Sequence, residues 1–113
     1  MQPEDAIRVQ HMIEAAEAVQ GFITDRRRTD LDSDRMLLFA LVRAIEIIGE
    51  AASKLNPEAR TAMPSVPWAN VIAMRHRLIH AYFDIDRTIL WKTATDEMPP
   101  LLSALRATLK DEP

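Results

Sequence analysis

Arg75-His76-Arg77-Leu78-Ile79-His80-Ala81-Tyr82 gathers cationic, titratable and phenolic side chains into eight consecutive positions of a chain that otherwise builds apolar core. Imidazole is the side chain best suited to proton transfer near neutral pH, and a planar guanidinium grips carboxylate or phosphate through paired N–H donors. The stretch reads as a site. The His76-x3-His80 spacing is also that of two metal ligands on one helical face. A metal centre there would lack ligands, because the chain has no Cys and the nearest acids, Asp84 and Asp86, fall after the expected helix end. His11 has no comparable company and reads as a surface residue.

The element that must position this cluster is a helix opened by Pro67, after the rigid break Pro64-Ser65-Val66-Pro67. It carries Trp68, Val71, Ile72, Met74, Leu78 and Ile79. At about 100° per residue, Leu78, Val71 and Tyr82 fall to one side of Arg75 and Ile79 and Ile72 to the other. Arg75 is therefore expected in the middle of an apolar arc, where a buried guanidinium needs an anionic partner to offset desolvation. Two partners suit it: a carboxylate of the preceding long helix, Glu46 or Glu50, or a bound phosphate. His76 and His80 are expected to project together from the arc's border. So broad an arc also suggests one side packed on the protein's own core and the other on a second copy, a homodimer.

The preceding helix is expected over Arg35–Leu55 and ends at Asn56-Pro57, where Pro57 can open a short turn. Leu37, Leu38, Leu41, Ala44, Ile45, Ile48 and Leu55 span a wide apolar arc, against a narrow stripe of Arg43, Glu46, Glu50 and Lys54. Glu50 and Lys54 stand at the favourable i,i+4 spacing. Gly49, in mid-helix, costs about 1 kcal/mol relative to Ala, which a close helix crossing would explain. Upstream, Val9, Ile13, Ala16 and Ile23 mark a first helix over Glu4–Thr24. The Asp25–Asp34 loop sets Arg26-Arg27-Arg28 against Asp30, Asp32 and Asp34, a solvated arrangement, with Asp30 or Ser33 as N-cap. Ile85–Lys110 is helical, with Asp84 or Asp86 as cap and a break or kink at Pro99-Pro100. The result is an all-α, up-and-down bundle of four to five helices without a strand.

With 113 residues, 48% hydrophobic and 27% charged, the chain has the composition of one globular domain, spanning 1–113. The absence of Cys excludes disulfide frameworks and thiol nucleophiles. The start Met1-Gln2-Pro3-Glu4-Asp5 lacks the basic and apolar regions of a secretory leader, and no apolar run is long enough for a membrane span. A cytoplasmic location, without membrane contact, is the expectation. A net charge of −3 rules out a chain-wide cationic field, so nucleic-acid contact must be local.

Arg75-x4-His80-Ala81-Tyr82 resembles the R-x4-H-x-Y signature of the HepT-like toxins, a branch of the HEPN superfamily. The resemblance runs through Arg43-Ala44-Ile45-Glu46-Ile47-Ile48-Gly49-Glu50-Ala51, Pro67-Trp68 and Tyr82-Phe83-Asp84-Ile85-Asp86, and covers almost the whole chain. It implies a HEPN-like helical domain acting as a homodimeric, metal-independent endoribonuclease toxin without a cofactor. The motif residues would line a cleft between subunits. His80 would handle protons, Arg75 would hold the phosphate, and Arg43, Glu46 and Glu50 would support them. The position after the motif Arg is commonly Asn or another polar residue, whereas here it is His76, a second imidazole that either shares the acid–base work or orients RNA. Ala81 stands where Gly or Asp is commoner. The resemblance further implies a partner, a minimal nucleotidyltransferase antitoxin of the MntA type, which would transfer AMP to Tyr82. DNA, lacking the 2′-hydroxyl, would not be cleaved.

Three classes of function follow: the ribonuclease toxin, a noncatalytic HEPN module that binds a minimal nucleotidyltransferase, and a metal-binding helical protein. A purely structural reading also exists for Tyr82, as a core phenol at a helix end.

Overall fold

The computed structural model describes residues 1–81 and 84–110. Helix α1 (Pro3–Ile23) runs beside α3 (Arg35–Lys54), and α5 (Trp68–Leu78) packs on the other flank of α3. The short helices α2 (Asp30–Ser33) and α4 (Pro57–Thr61) join them. A short antiparallel pair, β1 (Ile79–Ala81) and β2 (Asp84–Ile85), follows α5 with the register Ile79 to Ile85 and Ala81 to Asp84. The chain then continues through α6 (Arg87–Lys92), a π-helical turn (Thr93–Glu97) and α7 (Met98–Lys110), which lies back along α1. The all-α bundle is as expected. The strand pair is not, and it corrects the reading of a strandless chain.

The helical phases explain the packing. Val9, Met12, Ile13, Ala16 and Val19 of α1 are buried against Leu37, Leu38, Leu41, Ala44, Ile45 and Ile48 of α3. Leu90, Met98, Leu101, Leu102 and Leu105 complete the same core. Burying a side chain of this size contributes about 1.5–3 kcal/mol, so the wide apolar arc of α3, covered from both flanks, is the main source of cohesion. No helix among the described residues is long and apolar enough to cross a membrane.

The helix ends have specific causes. Asp34 is the N-cap of α3, its Oδ1 accepting the Leu37 N–H at 3.0 Å. This replaces the expected Asp30 or Ser33, because those two residues are consumed by α2. Asn56 caps α4, accepting the Glu58 N–H at 3.2 Å, and Asp86 caps α6, accepting the Ile89 N–H at 2.9 Å. The C-terminal region forms two helices, α6 and α7, separated by the π turn, so the expected interruption occurs, but just upstream of Pro99 and Pro100. These prolines sit in the first turn of α7, and the helix accommodates their missing donors by widening into the π turn just upstream.

Two polar features outside the expected set hold connections in place. Asp5, only 3% exposed, accepts the Asn56 N–H at 3.1 Å and lies 3.5 Å from Arg8, tying the start of α1 to the corner between α3 and α4. The Trp68 indole N–H donates to the Met63 carbonyl at 3.0 Å, fixing the chain just before α5.

The loop after α1 is an ionic cluster. Arg26 donates to both Asp34 and Asp30, and Arg28 pairs with Asp32 at 2.9 Å and reaches the Thr88 hydroxyl at 3.3 Å. Hydrogen bonding from Arg26, then from the Leu37 amide, holds the Asp34 carboxyl below the ordinary aspartate range, and the Arg27 amide does the same first of all for Asp30. Because these pKa values are lowered by folding, the ionic contribution is complete above the ordinary aspartate pKa and is lost as pH falls through the lowered values. Asp34→Asn keeps an accepting oxygen for the cap and removes both the charge and the oxygen that accepts from Arg26. It is expected to lower Tm at neutral pH, with the gap to the parent protein closing in melts taken below the ordinary aspartate range.

Candidate functional site

Arg75 and His76 occupy the last turn of α5, and both are exposed. They face a groove of about 410 Å³ between α5 and α3, walled on the α3 side by Glu46, Gly49, Glu50 and Ser53 and floored by Ile72. Its form follows from Gly49. A methyl group built there would meet the Val71 and Ile72 carbonyl oxygens at 3.5 and 3.6 Å. The backbones of α3 and α5 thus approach closely at this point, and the groove opens beside it.

Arg75 is not in the environment anticipated for it. No ion pair with Glu46 or Glu50 forms: Glu46 lies 3.8 Å from Arg43, and Glu50 accepts from Lys54 at 3.2 Å. The carboxylates of the stripe are matched along their own helix. The expectation of a desolvated Arg75 fails because α5 ends at Leu78, so Ile79, counted among the apolar positions flanking Arg75, is not on the helix. Arg75 has no ion-pair partner among the described residues and is open to an anionic ligand.

The same helix end corrects the geometry of the two histidines. Helix α5 stops at Leu78. Ile79 is extended (φ −113°, ψ 109°), with its N–H still bonded to the Arg75 carbonyl, and His80 lies in β1. His76 and His80 are therefore not one helical turn apart on a common face, and the geometry that suggested a helical metal pair is absent. Among the described residues no group of three or more His, Asp or Glu could hold a metal ion. Tyr82, the expected AMP acceptor, lies outside the described residues.

Neighbouring contacts brace the helix end. Arg77 pairs with Glu97 at 3.2 Å, linking the last turn of α5 to the π turn, and the Asp86 N–H donates to the Leu78 carbonyl at 2.7 Å, closing the base of the strand pair. Arg87 donates to the Leu31 carbonyl at 3.3 Å, fastening the exit of the pair to α2. Sequence reasoning missed the Arg77–Glu97 link and the wall residue Ser53. Ser53 was legible, since it lies one helical turn from Gly49 and Glu50, whereas a pair separated by 20 residues carries no local signal. A larger groove of about 500 Å³ lies on the opposite flank of α3, lined by Ile7, Arg8, His11, Arg43 and Ile47 among others. His11 is exposed there, as expected of a surface residue, and neither Arg75 nor His76 reaches this groove.

A family profile described as ribonuclease HepT-like matches residues 12–108. The chain belongs to the HepT-like ribonuclease family. It is 37% identical over 90 residues to a putative RNase of Methanocaldococcus jannaschii, covering 80% of this chain and 83% of that protein. A probable ribonuclease HepT of Thermococcus cleftensis is 37% identical over 93 residues, covering 82% and 84%. A putative RNase of Caldanaerobacter subterraneus is 34% identical over 104 residues, covering 92% and 93%. No solved structure gives a significant match. In this HepT-like protein the motif arginine and its neighbouring histidine thus border the α3–α5 groove, and the motif continues into β1.

The Gly49 crossing can be probed directly. Gly49→Ala is expected to be neutral or stabilising, by up to about 1 kcal/mol from helix propensity, since the methyl group makes ordinary contacts. Gly49→Leu is expected to cost about 1–3 kcal/mol through overpacking. Urea denaturation of the two variants checks both.

Proposed function

We propose that this HepT-like protein is a metal-independent endoribonuclease toxin whose reaction is run by Arg75 and His80, with His76 beside them. The observation that carries the proposal is Arg75, exposed and without an ion-pair partner among the described residues, at the mouth of a groove in a chain of ribonuclease family. The ribose 2′-hydroxyl loses its proton and its oxygen attacks the adjacent phosphorus. The P–O5′ bond breaks, the leaving 5′-oxygen takes a proton, and the products carry a 2′,3′-cyclic phosphate and a 5′-hydroxyl. His80 handles protons. Arg75 binds the phosphate oxygens and stabilises the extra charge of the phosphorane-like transition state. His76, an exposed imidazole one residue from Arg75, shares the acid–base work or orients the RNA. Arg43, Glu46 and Glu50 are supporting residues, the carboxylates keeping the groove from being uniformly cationic. The protein acts in the cytoplasm as a homodimer, its motif residues lining a cleft between copies.

Control falls to Tyr82. Transfer of AMP to its phenol from a minimal nucleotidyltransferase antitoxin of the MntA type adds bulk and a negative phosphate beside the motif cations, where it competes with the RNA backbone.

Cleavage of unstructured RNA in excess chelator tests the catalytic proposal. His80→Ala is expected to abolish cleavage and Arg75→Ala to reduce it by at least about 100-fold, the usual scale for a lost transition-state donor. Full activity in His80→Ala would sink the mechanism. Highly purified protein that binds a nucleotidyltransferase tightly but leaves RNA intact would instead identify a noncatalytic HEPN module. For Tyr82, intact-mass measurement after co-expression with the antitoxin is expected to show AMP-sized increments that disappear in Tyr82→Phe.

A further inference from the structure

Two of the large apolar side chains left on the surface stand together on the outer face of α3: Met36 is 83% exposed and Phe39 is 51% exposed. Phe39 does not belong to the buried arc of its helix. It is in phase with the charged stripe, only about 20° from Glu46 and about 10 Å from it along the axis at seven residues' separation. Glu46 lines the groove of Arg75 and His76, so the ring lies on the same ridge, two turns toward the start of α3.

The charges around the ring are distinctive. The Arg35 guanidinium carbon is 5.4 Å from the Phe39 centroid, within cation–π range. Arg35 has no ion pair among the described residues, unlike Arg26, Arg28 and Arg77, each of which meets a carboxylate closely. Arg43, one turn beyond Phe39, has only the long 3.8 Å contact with Glu46. An exposed aromatic face flanked by an unpaired and a loosely paired guanidinium matches the two requirements of single-stranded nucleic acid, a surface for base stacking and cations for the backbone. A second protein copy fits less well. Specific interfaces bury about 1,200–2,000 Å², whereas the other exposed large apolar residues of the described helices, Ile7 and Phe22 on α1, are about 22 Å apart along their own helix, too far for both to join the Phe39 patch.

Resting on the ribonuclease reading above, we propose that Phe39, with Arg35 beside it, is a base-stacking subsite for single-stranded RNA that extends the Arg75–His76 groove along α3. Phe39 holds one nucleobase by its ring, and Arg35 and Arg43 meet the adjoining phosphates. The subsite positions RNA and takes no part in bond breaking.

The test uses a fluorescently labelled oligoribonucleotide with 2′-O-methyl sugars, which cannot be cleaved by 2′-oxygen attack, and reads affinity by anisotropy. Phe39→Ala is expected to weaken binding about tenfold, the scale of one lost stack, while Phe39→Trp retains it. Scanning an abasic site through the oligonucleotide is expected to find one position at which the parent protein and Phe39→Ala bind equally. Equal affinity of the parent and Phe39→Ala for the intact oligonucleotide overturns the subsite. So does a change of oligomeric state in Phe39→Ala by sedimentation velocity, which would make the patch a contact between copies. Cleavage of unmodified RNA is followed in parallel: Phe39-dependent binding without cleavage refutes the ribonuclease reading and leaves the subsite standing, and cleavage without Phe39-dependent binding does the reverse. Circular dichroism confirms that the variants fold.

Discussion

The close approach of α3 and α5 at Gly49 is the constraint on which the groove depends. With no side chain at this position, the α5 backbone comes within van der Waals reach of α3, its Val71 and Ile72 carbonyls bordering the space a methyl group would fill. A larger residue would push the helices apart and remove the narrow end of the groove. Beside this contact, Arg75 and His76 share with Glu46 and Glu50 a groove of about 410 Å³, which leaves room for a ligand. The approach is tight enough to exclude any side chain much larger than a methyl group, and around it Val71, Met74, Ile45 and Ile48 all close against the common core.

That core was legible because long amphipathic helices repeat their signal over several turns. Every apolar residue assigned to the buried arc of α3 is buried, and Pro57 opens α4 where its missing donor is harmless. What escaped was of two kinds. The strand pair is only three and two residues long, too short to impose a period of its own on a sequence that continues the preceding helical phase. Ile79, Tyr82, Phe83 and Ile85 form a β-branched and aromatic run that favours extended backbone, but it was outweighed by the periodicity of α5. The N-cap of α3 was misjudged by one to four residues because Asp30, Ser33 and Asp34 all have capping chemistry, and only the presence of α2 selects Asp34.

The site was legible in composition but not in geometry. The cluster at Arg75 was visible because its residue types contrast with the core around them. The electrostatic reasoning that assigned Arg75 a partner was sound for a buried guanidinium, but burial was inferred in part from Ile79, which the helix does not reach. With Arg75 exposed, Glu46 and Glu50 pair along α3 instead, and exposed pairs of this kind contribute little to stability. Their effect lies in the local field, where two carboxylates share the groove with Arg75 and His76.

The end of α5 gives the R-x4-H spacing its physical meaning. In a continuous helix, residues five apart differ by about 140° around the axis, so Arg75 and His80 would address different faces. Ending the helix at Leu78 removes that restriction, because β1 begins a new direction of travel within two residues of Arg77. Three contacts hold the change of direction: the Asp86 N–H on the Leu78 carbonyl, the Asp86 cap on α6, and the Arg77–Glu97 pair. The helix-to-strand transition therefore frees the strand histidine from the helical phase that Arg75 obeys. It follows that the residues bracing the transition, although they touch no substrate in the proposed mechanism, constrain the relative placement of the two groups as directly as the motif spacing does.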